Sequence, residues 1–193
     1  TMHHIIVDGW CMNTLIDQFF AYYNGLKDGI NKLDYEKDIE EELEKDAEFC
    51  SYIYWLRTQD KEKAREYWKQ VLLDYENVCD IPAIMEPENT IEQVHRSSVR
   101  VDKLITAKMK KCADDNSSTI NTIVEVICGL LLQKWNGTND VVFGKVVSGR
   151  NADIAGIENM VGLLINTIPA RVKTESEMTI RELIVNQQKQ GAE

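Results

Sequence analysis

Apolar residues recur along this chain with two different periods. Met12, Leu15, Ile16, Phe19, Phe20, Tyr23 and Leu26 return at steps of three and four. That spacing predicts an amphipathic helix after the turn signal Asp8-Gly9, closed by Gly25 or Gly29. Ala64, Tyr67, Trp68, Val71, Leu72 and Tyr75 repeat the pattern, with Asp60 placed to cap the N-terminus. A short helix is predicted over 105–113. A longer one is predicted over 120–135, apolar on most faces and therefore expected to be buried. Ser117, Ser118 and Thr119 are its candidate caps, and Asn136-Gly137 ends it. Thr179 and Glu182 have the spacing of a capping box before a last helix.

Shorter apolar runs predict strands over 3–7, 91–101, 140–147 and 165–172. Pro169 confines the last of these to a sheet edge or a bulge, because proline cannot donate to a ladder. The stretch 81–90 holds two of the three prolines and shows no period. It reads as a linker or crossover, with a lobe boundary there: 1–80 on one side and 81–193 on the other. Helices and strands are mixed and no internal repeat is visible, so the fold class is α/β (α+β).

Composition narrows the possibilities. A chain of 193 residues can build one ordinary core or two small lobes. Hydrophobic residues make up 44% and charged residues 28%, which reads as a soluble globular protein. The net charge of −10 argues against nucleic acid, whose phosphates need a basic surface. Much of the acid lies in 35–48 (YEKDIEEELEKDAE), read as a solvated helix or loop face. Five widely spaced cysteines without a C-x-x-C favour reduced thiols in a cytoplasmic setting over a disulfide framework or a zinc site. No apolar run reaches the 18 residues of a membrane span, and no signal peptide is visible. The start TMHHIIVDGW cuts into an apolar segment and the end NQQKQGAE stops just after a helical pattern, so a fragment of a longer protein is expected.

The first residues concentrate ionisable groups: His3, His4 and Asp8 lie in HHIIVDG. On an extended strand His3 and His4 would point to opposite faces, so only one could line a cavity while the other packs behind it. An imidazole is suited to moving or steering a proton near neutral pH, its ordinary pKa being about 6.5. The spacing alone favours a structural histidine pair over a catalytic one. A metal site is disfavoured, because H-H-x-x-x-D lacks the H-x-x-x-H spacing of helical zinc sites.

Three blocks in order carry a family resemblance. HHIIVDGW resembles the HHxxxDG signature of the condensation domains of nonribosomal peptide synthetases. YIYWLRTQDKEKAREYWK (52–69) resembles the aromatic segment and YW helix of the same family. DVVFGKVVSGRNADIAGIENMVGLLINTIPARV resembles a later block, through SGR at 148–150, GIENMVG at 156–162 and INTIPAR at 165–171. The resemblance implies a chloramphenicol acetyltransferase-like fold, of which this chain would be a partial two-lobe sandwich of mixed sheet and helices. In it, 1–80 would be the C-terminal part of the N-terminal lobe and 81–193 part of the C-terminal lobe. About half of a full domain would be missing.

The resemblance also implies an activity. The amine of a carrier-bound acceptor aminoacyl thioester attacks a carrier-bound donor acyl or peptidyl thioester, forming an amide. No cofactor is bound; the substrates ride on the 4'-phosphopantetheine arms of donor and acceptor peptidyl carrier domains, next to an adenylation domain. By the same resemblance His4 faces the reaction as general base or positioning group. Protonated His4 or the Gly9 N–H are candidates to stabilise the oxyanion. Asp8 turns away and pairs with an arginine, for which Arg150 is the choice. His3 and Asn166 support the site. Cys11 stands where serine is common in the family. An epimerisation domain, a stand-alone acyltransferase of the same superfold and a noncatalytic docking module are the alternatives.

Overall fold

The apolar steps fold as helices almost where they predict them. A computed structural model of the chain describes residues 2–29, 37, 48–81 and 97–192. Its helices are α1 (Cys11–Lys27), α2 (Phe49–Thr58), α3 (Lys61–Val71), α4 (Lys103–Asp115), α5 (Ile120–Asn136) and α6 (Ile180–Ala192). Strands β1 (Asp140–Val147) and β2 (Asn166–Lys173) pair with each other. Just beyond them, Thr174 donates its N–H to the Asn139 carbonyl at 2.8 Å, which fixes the pairing as antiparallel. Among the described residues Pro169 thus lies in a strand with one neighbour and one unpaired edge.

The caps do their work through side-chain oxygens. Asp60 Oδ1 accepts from the N–H groups of Glu62 and Lys63 at 3.0 Å, starting α3. Thr119 caps α5, and Gly137 ends it in the left-handed region (φ +62°) that glycine adopts without strain. Thr179 and Glu182 form the reciprocal box before α6, at 2.8 and 3.2 Å. At the end of α1, Gly29 takes the left-handed conformation, while Gly25 lies buried inside the helix.

Three expectations are corrected. The run 3–7 is not a strand but a turn, with the Ile6 N–H donating to the His3 carbonyl at 3.2 Å. A strand needs a neighbour for its ladder, and no described strand lies beside it. Over 97–101 the chain forms no strand either, and its residues are exposed; 91–96 lie outside the described residues, as do most of 35–48 and 81–90. Helix α5 is not buried on most faces. Ile120, Val124, Ile127, Leu131 and Trp135 form an exposed stripe, 41–56% accessible, opposite a buried face of Ile123, Val126 and Gly129.

The chain divides into two compact units, Thr1–Tyr67 with Lys145–Ile168, and Trp68–Gly144 with Pro169–Glu193. Neither is continuous in sequence, so they do not coincide with the segments 1–80 and 81–193. In the second unit Ala113, Ile123, Val126, Val141, Val172, Leu183 and Ile184 form the core. Helix α5 approaches β2 so closely that a Cβ on Gly129 would lie 2.5 Å from the Val172 side chain. Gln133 seals the contact, donating to the carbonyls of Asn139 (2.8 Å) and Val172 (2.9 Å). Arg171 forks onto buried Asp140 at 2.9 and 2.6 Å and donates to the carbonyls of Val71 and Leu73, tying the end of α3 to the ribbon.

The first unit is built differently. Residues 145–168 include a long segment without regular structure, and its apolar side chains pack on the aromatic face of α2. Tyr52, Ala152, Ile157, Met160 and Leu164 are the buried core, flanked by Phe49 and Trp55. Met160 and Leu164 are fully buried, each contributing about 1.5–3 kcal/mol of apolar burial. No described helix is long and apolar enough to cross a membrane.

Candidate active site

The site is organised around one carboxylate. Asp8 is 1% exposed and accepts from five groups. Its Oδ1 takes the N–H of Trp10 at 3.0 Å and of Cys11 at 3.2 Å, orphan donors at the start of α1, whose positive dipole end favours the anion. Its Oδ2 takes the N–H of Leu164 at 3.0 Å and of Ile165 at 3.2 Å. Arg150 spans both oxygens, Nη1 to Oδ2 at 2.9 Å and Nη2 to Oδ1 at 3.2 Å. The structure therefore brings together Asp8 of HHIIVDG, Arg150 of SGR and the backbone just before Asn166, although the first lies far from the other two in sequence.

Burial alone would push the Asp8 pKa up. The Arg150 guanidinium and the N–H groups of Leu164, Cys11 and Ile165 outweigh it, holding the carboxyl well below the usual carboxylate range. Arg150 is fixed in turn: Nη2 donates to the Met160 carbonyl at 3.2 Å, Nη1 donates to the Ser148 carbonyl at 3.3 Å, and the Trp10 ring lies 5.7 Å from its guanidinium carbon. Its Nε is buried without a hydrogen-bond partner. Gly149 makes the approach possible. It has φ +68°, and a Cβ there would sit 1.9 Å from the Leu164 carbonyl oxygen.

The histidines occupy the turn that Asp8 anchors. His3 Nδ1 accepts the N–H of Ile5 at 3.1 Å, so this ring stays with its own turn. His4 is exposed and lines a shallow recess with Met2, Val7, Asp8, Gly9 and Met12. Gly9 follows the buried carboxylate in a tight turn, with open space where a Cβ would stand. Asn166 opens β2, is exposed, and accepts the N–H of Thr167 on its own Oδ1 at 2.8 Å. The recess combines an accessible imidazole with a free approach at Gly9, a geometry that can position or deprotonate an amine. No cluster among the described residues could hold a metal ion.

Sequence reasoning missed the two amides of Leu164 and Ile165 and the Met160 carbonyl, because backbone groups carry no residue signature. The clue was Gly162 beside them, whose lack of a side chain allows a close approach.

The family model for the condensation domain matches residues 1–193. Bacitracin synthase 3 of Bacillus licheniformis is 36% identical over 184 residues, 95% of this chain and 3% of that protein. Gramicidin S synthase 2 of Brevibacillus brevis is 37% identical over 185 residues, 95% of this chain and 4% of that protein. Among solved structures, the first condensation domain of the calcium-dependent antibiotic synthetase, in complex with a substrate analogue, aligns with a TM-score of 0.68 at 17% identity. That alignment covers 99% of this chain and 42% of the other. SgcC5 of Streptomyces globisporus aligns with a TM-score of 0.71 at 15% identity, over 98% of this chain and 41% of the other. The chain thus spans a few per cent of the synthetases it matches and about two-fifths of the solved chains that share its fold. With its whole length matched by that family model, and with the HHxxxDG carboxylate locked to the SGR arginine, the chain belongs to the condensation-domain family.

Proposed function

We propose that this chain supplies the histidine side of an amide-forming centre in a nonribosomal peptide synthetase. The acceptor amine adds to the donor thioester carbonyl. The C–N bond forms, the C–S bond breaks, and the amine proton leaves as the donor thiol is released. His4 holds the amine or takes its proton, and either protonated His4 or the Gly9 N–H faces the developing oxyanion. Asp8 and Arg150 work behind the turn; His3 and Asn166 support it. Both substrates arrive on the 4'-phosphopantetheine arms of carrier domains, with an adenylation domain nearby and no bound cofactor. The setting is cytoplasmic, in keeping with five free cysteines. Within the full domain, 1–80 would belong to the N-terminal lobe and 81–193 to the C-terminal lobe.

The observation that carries this reading is the buried Asp8 clamp. It turns the second histidine of the motif outward into an open recess while the carboxylate itself is fully occupied. The test uses a full-length condensation domain carrying these residues, supplied with loaded donor and acceptor carriers, and measures dipeptidyl thioester. His4→Ala is expected to lower the turnover number by on the order of 100-fold or more. Product formed at the unchanged rate would remove His4 from the reaction.

A further inference from the structure

We propose that Phe49 is a positioning residue for this reaction, acting through Gly162 on the segment that clamps Asp8. The inference rests on the condensation reading above. A Cβ built on Gly162 would lie 2.3 Å from Phe49 Cδ2 and 2.8 Å from Cε2, so the ring lies directly on the Gly162 backbone. The Gly162 carbonyl accepts from Cys11 Sγ at 3.7 Å, at the start of α1. Two and three residues later come the N–H groups of Leu164 and Ile165 that bind Asp8 Oδ2. Two residues earlier comes the Met160 carbonyl that holds Arg150.

Each hydrogen bond that 160–165 makes to Asp8 or Arg150 therefore lies within three residues of the Phe49 contact. Phe49 is in turn fixed in a row of rings on α2. Its centroid is 6.0 Å from that of Tyr52, which stacks on Trp55 at 6.0 Å and packs in one core with Met160 and Leu164. Moving the ring moves the donors, the donors move the carboxylate, and the carboxylate moves the turn bearing His4. Phe49 itself is not among the residues lining the recess.

The test compares Phe49→Leu, Gly162→Ala and the double variant Gly162→Ala/Phe49→Ala in a full-length condensation domain carrying these residues. Two readouts are taken: dipeptidyl-thioester turnover with loaded carriers, and hydrogen exchange of the Leu164 and Ile165 amides. Gly162→Ala is expected to lower kcat on the order of 10–100-fold, the cost of a small misplacement, with the acceptor KM unchanged. Exchange at both amides should accelerate at least about tenfold. The double variant, whose new methyl takes the vacated ring space, is expected to recover most of the loss, and Phe49→Leu, which withdraws the ring from Gly162, to fall between wild type and Gly162→Ala in both readouts. Wild-type exchange at 164 and 165 in Gly162→Ala would overturn the proposal. So would a double variant no better than the single one, or a lowered melting temperature with kcat intact well below it. Should His4→Ala turn over normally, the condensation reading fails, while the exchange rates still decide whether Phe49 sets the clamp.

Discussion

Replacing Arg150 by methionine tests the clamp most directly. The arginine side chain is 4% accessible and that of Asp8 0%, so water can neither screen the pair nor replace the lost partner. Arg150→Met keeps most of the apolar volume but strands a buried carboxylate, which costs about 3–5 kcal/mol in such sites. Four backbone N–H groups remain on Asp8, which argues for the lower end. Loss of the Trp10 contact adds about 0.5–1 kcal/mol. The expected loss is therefore about 3–4 kcal/mol at pH 7, read from urea unfolding followed by circular dichroism. The pH dependence has a definite sign. The folded pKa of Asp8 is depressed, so its contribution is fully present above its unfolded value of about 3.9 and is lost as pH falls through the folded value. The arginine is one cause of that depression, so the gap between wild type and Arg150→Met should narrow as the pH drops below about 4. A difference under about 1 kcal/mol at pH 7, or a gap that widens in acid, would refute the picture of a buried, ionised clamp.

The neighbouring contacts give further outcomes. Gly149→Ala combines a left-handed backbone with a collision at the Leu164 carbonyl, and should cost more than about 2 kcal/mol in the same unfolding measurement. Arg171→Lys keeps the charge yet cannot fork onto Asp140 while reaching the carbonyls of Val71 and Leu73. A loss of about 2–3 kcal/mol is expected, seen as a fall of about 5–10 °C in melting temperature. An unchanged melting temperature would mean that this buried fork does not hold α3 to the ribbon.

Helices and their ends were the most readable part of the fold. The steps of three and four in 12–26 and 64–75, and the cap residues Asp60, Thr119, Thr179 and Gly137, depend on contacts within a few residues, so a local pattern suffices. The strands at 140–147 and 165–172 were readable for a related reason: both are apolar runs bounded by turn or polar residues. The failure at 3–7 has the opposite cause. An apolar run becomes a strand only if a partner accepts its ladder, and partner supply is a tertiary fact. The same holds for the outer face of α5. Composition predicted burial for Ile120, Val124, Ile127, Leu131 and Trp135, but burial depends on what lies opposite, and among the described residues nothing covers them.

The site was readable through its side chains and hidden in its backbone. His4, Asp8 and Arg150 stand in motifs, so each could be named from sequence. The Asp8 carboxylate, however, accepts four hydrogen bonds from backbone N–H groups and two from the Arg150 guanidinium. Amides look alike in any sequence, and only glycines betray where they converge. Gly149 and Gly162 do so here, each at a place where a methyl group would collide with a carbonyl or a ring. This division has a chemical consequence. Rigid, low-entropy backbone donors and the Arg150 guanidinium hold the anion on Asp8, and the His4 ring is left exposed at the recess, outside that network of hydrogen bonds.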